Sequence, residues 1–455
     1  MTLNKHEMIA GNQQYIELTK KVQLILHVGR LMMENSADTG RIVRTMKRTA
    51  AFAGIFGEQI QIHITYTTLM ISVSVDHYSI TKLQKCSCHN IDMSIISEVS
   101  KLTWHAIERD YTIDQLEKSL SRLEAKKNRY HSFIINLGAA LACGGVGKMF
   151  GCDLVAALYT AIAAFIGFYV RKKCNWFGIN PYMGIVISSF VATVIAYFTH
   201  FLPFTNTPWY PMLACAIFIV PGVPLINALE DMLESYITAG MTRAMNTVLM
   251  IGSITFGTVF AIKLFQVEDF TRLAAVDHQA YIIYVISAFI AAAGFSTMFD
   301  VPPKILWVVG VGGVICVCTR TLAVDLLGVG QPIGTLLGAM AVSIISLKAV
   351  HWFHVPSHVI IIPSLIPLMP GILMTRLLFD IIDIDSLNGA SLLVTIQSGV
   401  NAALTIMAIA VGAAVPNAFA QKYIKRYNSR RLSKALADRK YRQRKIKRAL
   451  LNGGK

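Results

Sequence analysis

The chain has 455 residues, of which 54% are hydrophobic and 15% charged, with a net charge of +16. That balance excludes an ordinary soluble enzyme and places the chain among membrane proteins. The charge reports topology and surface rather than a nucleic-acid substrate, because residues 422–455 hold fourteen Lys or Arg against the single acid Asp438.

Residues 1–130 are polar, with no apolar run near the ~18 residues of a span and no charged-then-apolar leader. Residues 14–33 and 37–53 show helical spacing, and Asp38 stands where a helix cap is needed. QIQIHITYTTLMISVSV at 59–75 alternates as strands do, 77–85 reads as a third strand, and 92–109 and 112–127 read as two more helices. The expectation is a cytoplasmic α/β domain with a regulatory or assembly role. A rival reading makes this domain a membrane-anchored hydrolase using Ser36, His27 and Asp38, but it contains no G-x-S-x-G elbow, H-E-x-x-H pair or P-loop.

Ten apolar runs of roughly spanning length follow, at 132–149, 152–170, 182–202, 209–229, 245–265, 279–298, 304–320, 324–347, 357–379 and 392–415. With residue 130 on the cytoplasmic side, Arg171, Lys172, Lys173, Arg243, Lys304, Lys348 and the tail lie inside, which satisfies the positive-inside rule. Both termini then face the cytoplasm. The eight cysteines mostly fall in or beside apolar runs, where thiols behave as small hydrophobes, so no disulfide framework is expected.

Two of these runs are broken in the middle by Pro-Gly. Pro221 and Pro370 are 149 positions apart, as are Gly222 and Gly371, Asp231 and Asp380, Gly240 and Gly389, and the segments GKMFG at 147–151 and STMFD at 296–300. The chain therefore carries a duplicated membrane unit. Five spans is an odd number, so the second copy enters the bilayer from the opposite side. The fold class expected is a polytopic α-helical membrane protein of about ten spans in two inverted repeats. Its parts are an amino-terminal α/β domain (1–130), repeats at 131–270 and 271–420, and a basic cytoplasmic tail (421–455). Matched broken helices in inverted repeats point to a secondary transporter, because unwound backbone at membrane depth survives only against protein or a polar cavity.

Pro-Gly removes a donor and permits non-helical torsions, so the second half-helices start near the midplane with their positive ends toward each other, a place suited to a carboxylate. Asn227, about 7–8 Å beyond Gly222 along a helix, is the leading side chain for hydrogen-bonding substrate. Arg376 occupies the matching place in the second copy and either clamps a carboxylate or snorkels to the interface. Asp231 and Asp380, about 13–14 Å beyond their breaks, stand as gating or proton-coupling candidates, with helix-end charge as the alternative. Glu230 and Glu234 read as solvated loop acids.

The run HVGRLMMENSADTGRIVRTMKRTAAFAG at 27–54, the strand block after it, and PGVPLINALEDMLESYITAGMTR at 221–243 together resemble the threonine/serine exporter family in its fused form. The resemblance covers nearly the whole chain. It implies export of small hydrophilic amino acids driven by the proton gradient, or of a dicarboxylate such as succinate as in split relatives, across a bacterial inner membrane. Arg376 in place of the Asn departs from a symmetric site. The partners implied are a small carboxylate-bearing substrate, protons and the lipid bilayer. A homo-oligomer is allowed, while no nucleic acid and no cofactor are expected.

CSCH at 86–89 and the trio His351, His354 and His358 carry the residue types of a zinc site, but neither has a second ligand cluster, and no metal is expected. Gly334 and Gly338 form a small-xxx-small pair that serves close helix packing. The basic tail, with a helical stretch at 430–450, reads as an orientation signal and membrane-surface anchor.

Overall fold

The computed structural model describes residues 5–75, 78–86, 90–126, 129–219, 221–267, 280–353, 355–370, 373, 377, 380 and 389–452. The chain divides into two compact units. One gathers residues 1–127, 231–242 and 418–455, and the other residues 128–230 and 243–417.

The first unit opens with helices α1 (Lys5–Glu34) and α2 (Thr39–Phe52), followed by strands β1 (Ile60–Ile64), β2 (Thr68–Val75) and β3 (Tyr78–Lys85), then helices α3 (Met93–Glu108) and α4 (Ile113–Glu124). The strands form one antiparallel sheet in the order β1-β2-β3. The strands expected within 59–75 form a hairpin, in which Tyr66 and Thr67 turn the chain between β1 and β2. Period two is explicit in β2, where Leu69, Ile71 and Val73 are buried while Ser72 and Ser74 face out and bond Thr81 and Ser79. The buried face meets α1, whose Val22, Ile25, Val28 and Met32 recur at helical spacing.

The second unit contains α5 (Ser132–Met149), α6 (Leu154–Trp176), α7 (Pro181–Tyr197), α8 (Tyr210–Ala214), α11 (Tyr281–Met298), α12 (Leu306–Leu327), α13 (Gln331–Phe353) and α14 (Ser357–Leu365). Most of α9 (Gly222–Leu233) and α10 (Ile237–Leu264), and the first part of α15 (Gly389–Asn452), belong to it as well. Its residue distribution is that of a membrane bundle. Along α6, Leu154, Leu158, Ile162 and Ile166 are exposed at four-residue spacing, while Ala156, Ala157, Thr160, Ala163, Ala164 and Gly167 are buried. Large apolar groups outside and small ones inside suit lipid as solvent, where close backbone packing replaces the hydrophobic drive. Among the described residues, eight unbroken helices are long and apolar enough to cross a membrane, and nine when a bent pair counts as one. Ten runs were expected. The one at 357–379 begins as a shorter apolar helix, Ser357–Leu368, and from Gly371 passes almost wholly outside the described residues.

Two helices of the second unit match in local geometry. Helices α5 and α11 begin and end 149 positions apart, and each closes on a cap with positive φ at the same place, Gly151 (φ 101°) and Asp300 (φ 53°). The cap bonds repeat too: Cys152 N–H donates to Gly147 O, and Val301 N–H to Ser296 O. The two helices pack on each other antiparallel. A Cβ at Gly145 would stand 2.8 Å from Ser287 O and 2.9 Å from Ala291 N, and one at Gly294 would stand 2.5 Å from Ala142 N and 2.6 Å from Gly138 O.

Candidate functional site

Both interruptions have one local design. After α8, residues Ile217–Ile219 tighten into a 3₁₀ turn before Pro221, and α9 starts at Gly222 with the axis bent by 59°. After α14, residues Ile366–Leu368 do the same, Met369 is extended, and Pro370 follows. Proline explains the tightening. Pro370 has no N–H to give to Ile366 O, which Met369 N–H takes instead at 2.9 Å; at the first break Ala216 O accepts from Ile219 N–H at 3.0 Å, and Pro221 has no N–H to give to Ile217 O. Beyond the first break Leu225 N–H bonds Pro221 O at 3.0 Å. The amides of Gly222 and Val223 thus have no carbonyl within α9 to reach, and Pro224 has no amide hydrogen.

The two broken segments meet. A Cβ on Gly222 would lie 3.1 Å from Ile366 Cγ1 and 3.6 Å from Met369 Cε, so the backbone of one break rests on the 3₁₀ turn of the other. Eight residues further along α9, Glu230 Oε2 lies 3.2 Å from His358 Nδ1 in the first turn of α14. Contacts at 222/366 and 230/358 fix α9 and α14 as antiparallel neighbours over about 12 Å of helix. Asn227 lies between these points, 1% exposed. Glu230 corrects the sequence reading: it is buried, because α9 continues as helix to Leu233 and carries Glu230 one turn from Asn227 on the inward face.

A family model described as putative threonine/serine exporter matches residues 23–265, and a second, described as Threonine/Serine exporter, ThrE, matches residues 284–419. The chain belongs to the threonine/serine exporter family. A Corynebacterium glutamicum protein named threonine/serine exporter is 19% identical over 399 residues, covering 85% of this chain and 79% of that one. Proteins named probable succinate transporter subunit YjjP are 25% identical in Klebsiella aerogenes and 24% in Escherichia coli K12, over 53% of this chain and 93% of each of theirs. No solved structure matches. This member of the exporter family is therefore a multi-pass transport protein and not an enzyme.

The remaining candidate residues of the exporter-family chain fall in different places. Pro221, Gly222, Asn227 and Pro370 are at the meeting of the breaks, all buried, whereas Gly371 and Arg376 lie outside the described residues. Asp231 belongs to the first unit, where its carboxylate accepts from Thr39 N–H and Thr39 Oγ1, both at 2.8 Å. It thus occupies an orphan donor at the start of α2, beside Asp38, which accepts from Arg41 N–H at 2.7 Å. Glu234 joins the same cluster through Arg44 at 3.2 Å, and Tyr236 is pushed up by burial and by the Glu234 carboxylate. Asp380 is buried in the second unit and accepts from Thr395 Oγ1 at 2.6 Å.

The residues of the hydrolase rival each bond a different group. Ser36 Oγ donates to Asn90 O, His27 contacts Glu117 and Glu124 at 2.7 and 3.0 Å, and Asp38 caps α2. Among the described residues no group of three or more His, Cys, Asp or Glu is arranged to hold a metal, and seven cysteines are free. Of CSCH only Cys86 is described, and of the histidine trio His354 and the side chain of His351 are outside the described residues. The tail reading as a surface anchor is corrected as well. Arg431 pairs with Glu108 at 2.6 Å, Arg439 donates to Phe52 O and Tyr111 O at 3.0 and 2.9 Å, and Arg442 pairs with Asp110, all within the first unit.

Proposed function

We propose that this protein is a proton-coupled secondary exporter of small hydrophilic amino acids, threonine and serine, in a bacterial inner membrane, with both termini and the amino-terminal α/β domain in the cytoplasm. The observation that carries the reading is the rest of Gly222 on Ile366 and Met369, which brings two Pro-Gly breaks from the two copies together beside buried Asn227. The first-turn amides of α9 favour a carboxylate, and Asn227 supplies a neutral hydrogen-bonding group for the rest of the substrate. By the 149-residue spacing Gly371 and Arg376 are the sequence counterparts of Gly222 and Asn227, and they are the second copy's candidates for the same site. Asp231 and Asp380 remain gating candidates at the far ends of the half-helices.

Inverted five-span repeats are supported by the reciprocal contacts of α5 and α11. Gly145 meets residues 287 and 291 as Gly294 meets 138 and 142, the pattern a two-fold axis requires of equivalent antiparallel helices. Alternating access then exchanges the roles of the two copies. Assembly into a homo-oligomer is compatible with this arrangement. A second reading, dicarboxylate export, is favoured by the relatives named probable succinate transporter subunit, which match 53% of this chain.

The deciding measurement is transport of labelled serine, threonine and succinate by the purified protein in vesicles, with and without a pH gradient. Serine or threonine movement that grows with the gradient, and is lost in Asn227→Ala with insertion intact, is expected. Succinate movement alone would select the second reading. No movement of any of the three would overturn both.

A further inference from the structure

The pair Glu230–His358 has no place in the substrate site as described above, yet it joins the two interrupted helices. Glu230 is near the carboxyl end of α9, His358 is the second residue of α14, and both side chains are nearly buried, 10% and 14% exposed. Its contact closes one end of the seam whose other end is Gly222 on Ile366, and Asn227 lies one turn inside it. In the proposed orientation α9 runs toward the cytoplasm, so the closed end is the cytoplasmic one. The 3.2 Å approach is an ion-pair contact without aligned hydrogen-bond geometry, and Glu230 Oε2 has no hydrogen-bond partner.

We infer that Glu230 and His358 form a proton-operated gate on the α9–α14 seam. The inference rests on the exporter reading and names its proton site. With Glu230 ionised and His358 protonated, the two charges hold the seam shut, and separating them in apolar surroundings is costly. One proton added to Glu230 leaves a neutral carboxylic acid opposite the imidazolium, removes the attraction, and lets α9 and α14 part beside Asn227. Loss of that proton restores the pair. Protonation and access to the site are thereby linked through one contact.

Other charged and titratable groups lie on the neighbouring helices. On α12, Asp325 accepts from Tyr281 of α11 at 2.7 Å, and Cys316 reaches Ser364 O, at the opposite end of α14 from His358. Cys318 and Arg320 on α12, Lys348 on α13, Tyr284 on α11, and Lys263 and buried Arg243 on α10 are further such groups among the described residues, and Asp231, next to Glu230 in the chain, is held by Thr39.

The test uses full-length protein in vesicles and compares two modes: exchange of labelled for unlabelled substrate at equal pH, and transport driven by a pH gradient. Glu230→Gln and His358→Gln should retain exchange while gradient-driven transport falls on the order of tenfold, the usual size of a coupling between sites. Separately, Glu230→Cys with His358→Cys, in a background lacking the native cysteines, should crosslink through a short reagent and stop exchange until reduced. Gradient-driven transport unchanged in both Gln variants, or exchange unaffected by the crosslink, overturns the gate. Absence of exchange in the unsubstituted protein instead overturns the exporter reading.

Discussion

Gly145 and Gly294, 149 positions apart, make the same contact from opposite sides: each presses its bare Cα on the partner helix at the sequence equivalents of the other's neighbours. The antiparallel crossing of α5 and α11 therefore depends on two glycines at once.

Filling that crossing should be severely destabilising. Gly294→Leu places a side chain where even a Cβ would lie 2.5 Å from Ala142 N, a backbone atom that cannot yield. The cost expected from overpacking is about 1–3 kcal/mol or more. Gly252→Ala, in open space, is the matched control and should be neutral. Thermal unfolding in detergent distinguishes them, and equal melting of the two variants would refute the crossing.

Asp231 and Glu234 lie three residues apart and should respond very differently. Asp231 is buried and accepts two hydrogen bonds from Thr39, each of a kind that contributes about 1.5–3 kcal/mol when one partner is charged. Asp231→Ala should loosen the first turn of α2, seen as faster amide hydrogen exchange at residues 39–42. Glu234 is half-buried and meets Arg44 in a pair worth about 0–1 kcal/mol, so Glu234→Ala should leave exchange near that of the unsubstituted protein.

Their neighbour Glu230 marks what sequence allowed. The Pro-Gly breaks and the 149-residue spacing that also joins segments 147–151 and 296–300 were legible, because backbone chemistry is written in the residue type itself. Burial of Glu230 was not, because its density of acids imitates a loop, and only the continuation of α9 to Leu233 reverses that. The partner of Glu230 was beyond reach for another reason: His358 is 128 positions away, and only the antiparallel seam brings it close. The tail misled similarly. A run of basic residues after a last span satisfies the positive-inside rule equally well whether it meets lipid or protein acids.

The tail contact has an optical reporter. Arg48 and Arg431 both stack on Trp104, at 4.8 and 4.5 Å from the ring centre, and Arg431 also pairs with Glu108. Burial first, then the charge of Arg431, holds Arg48 below the usual arginine range. Arg431→Ala should shift Trp104 emission in a variant lacking the other tryptophans, with a loss of about 1 kcal/mol or less from the exposed stacking contact. Emission that responds neither to this substitution nor to high salt would show that the tail does not dock there.

Asp300 supplies the pH dependence. Its carboxylate accepts from the backbone N–H groups of Arg129 and Tyr130 at 3.2 and 3.3 Å, yet burial outweighs them and holds it above the ordinary value of 3.8. A carboxyl group that binds its proton more tightly when folded stabilises the fold fully below its unfolded pKa, and that contribution fades as pH rises through the folded value. Asparagine tolerates the positive φ of 53° and keeps an acceptor oxygen without a titrating charge. Asp300→Asn should therefore melt with the unsubstituted protein at about pH 3 and above it at about pH 7. Higher melting of the unsubstituted protein at neutral pH would mean that the two backbone donors, and not burial, govern this carboxylate.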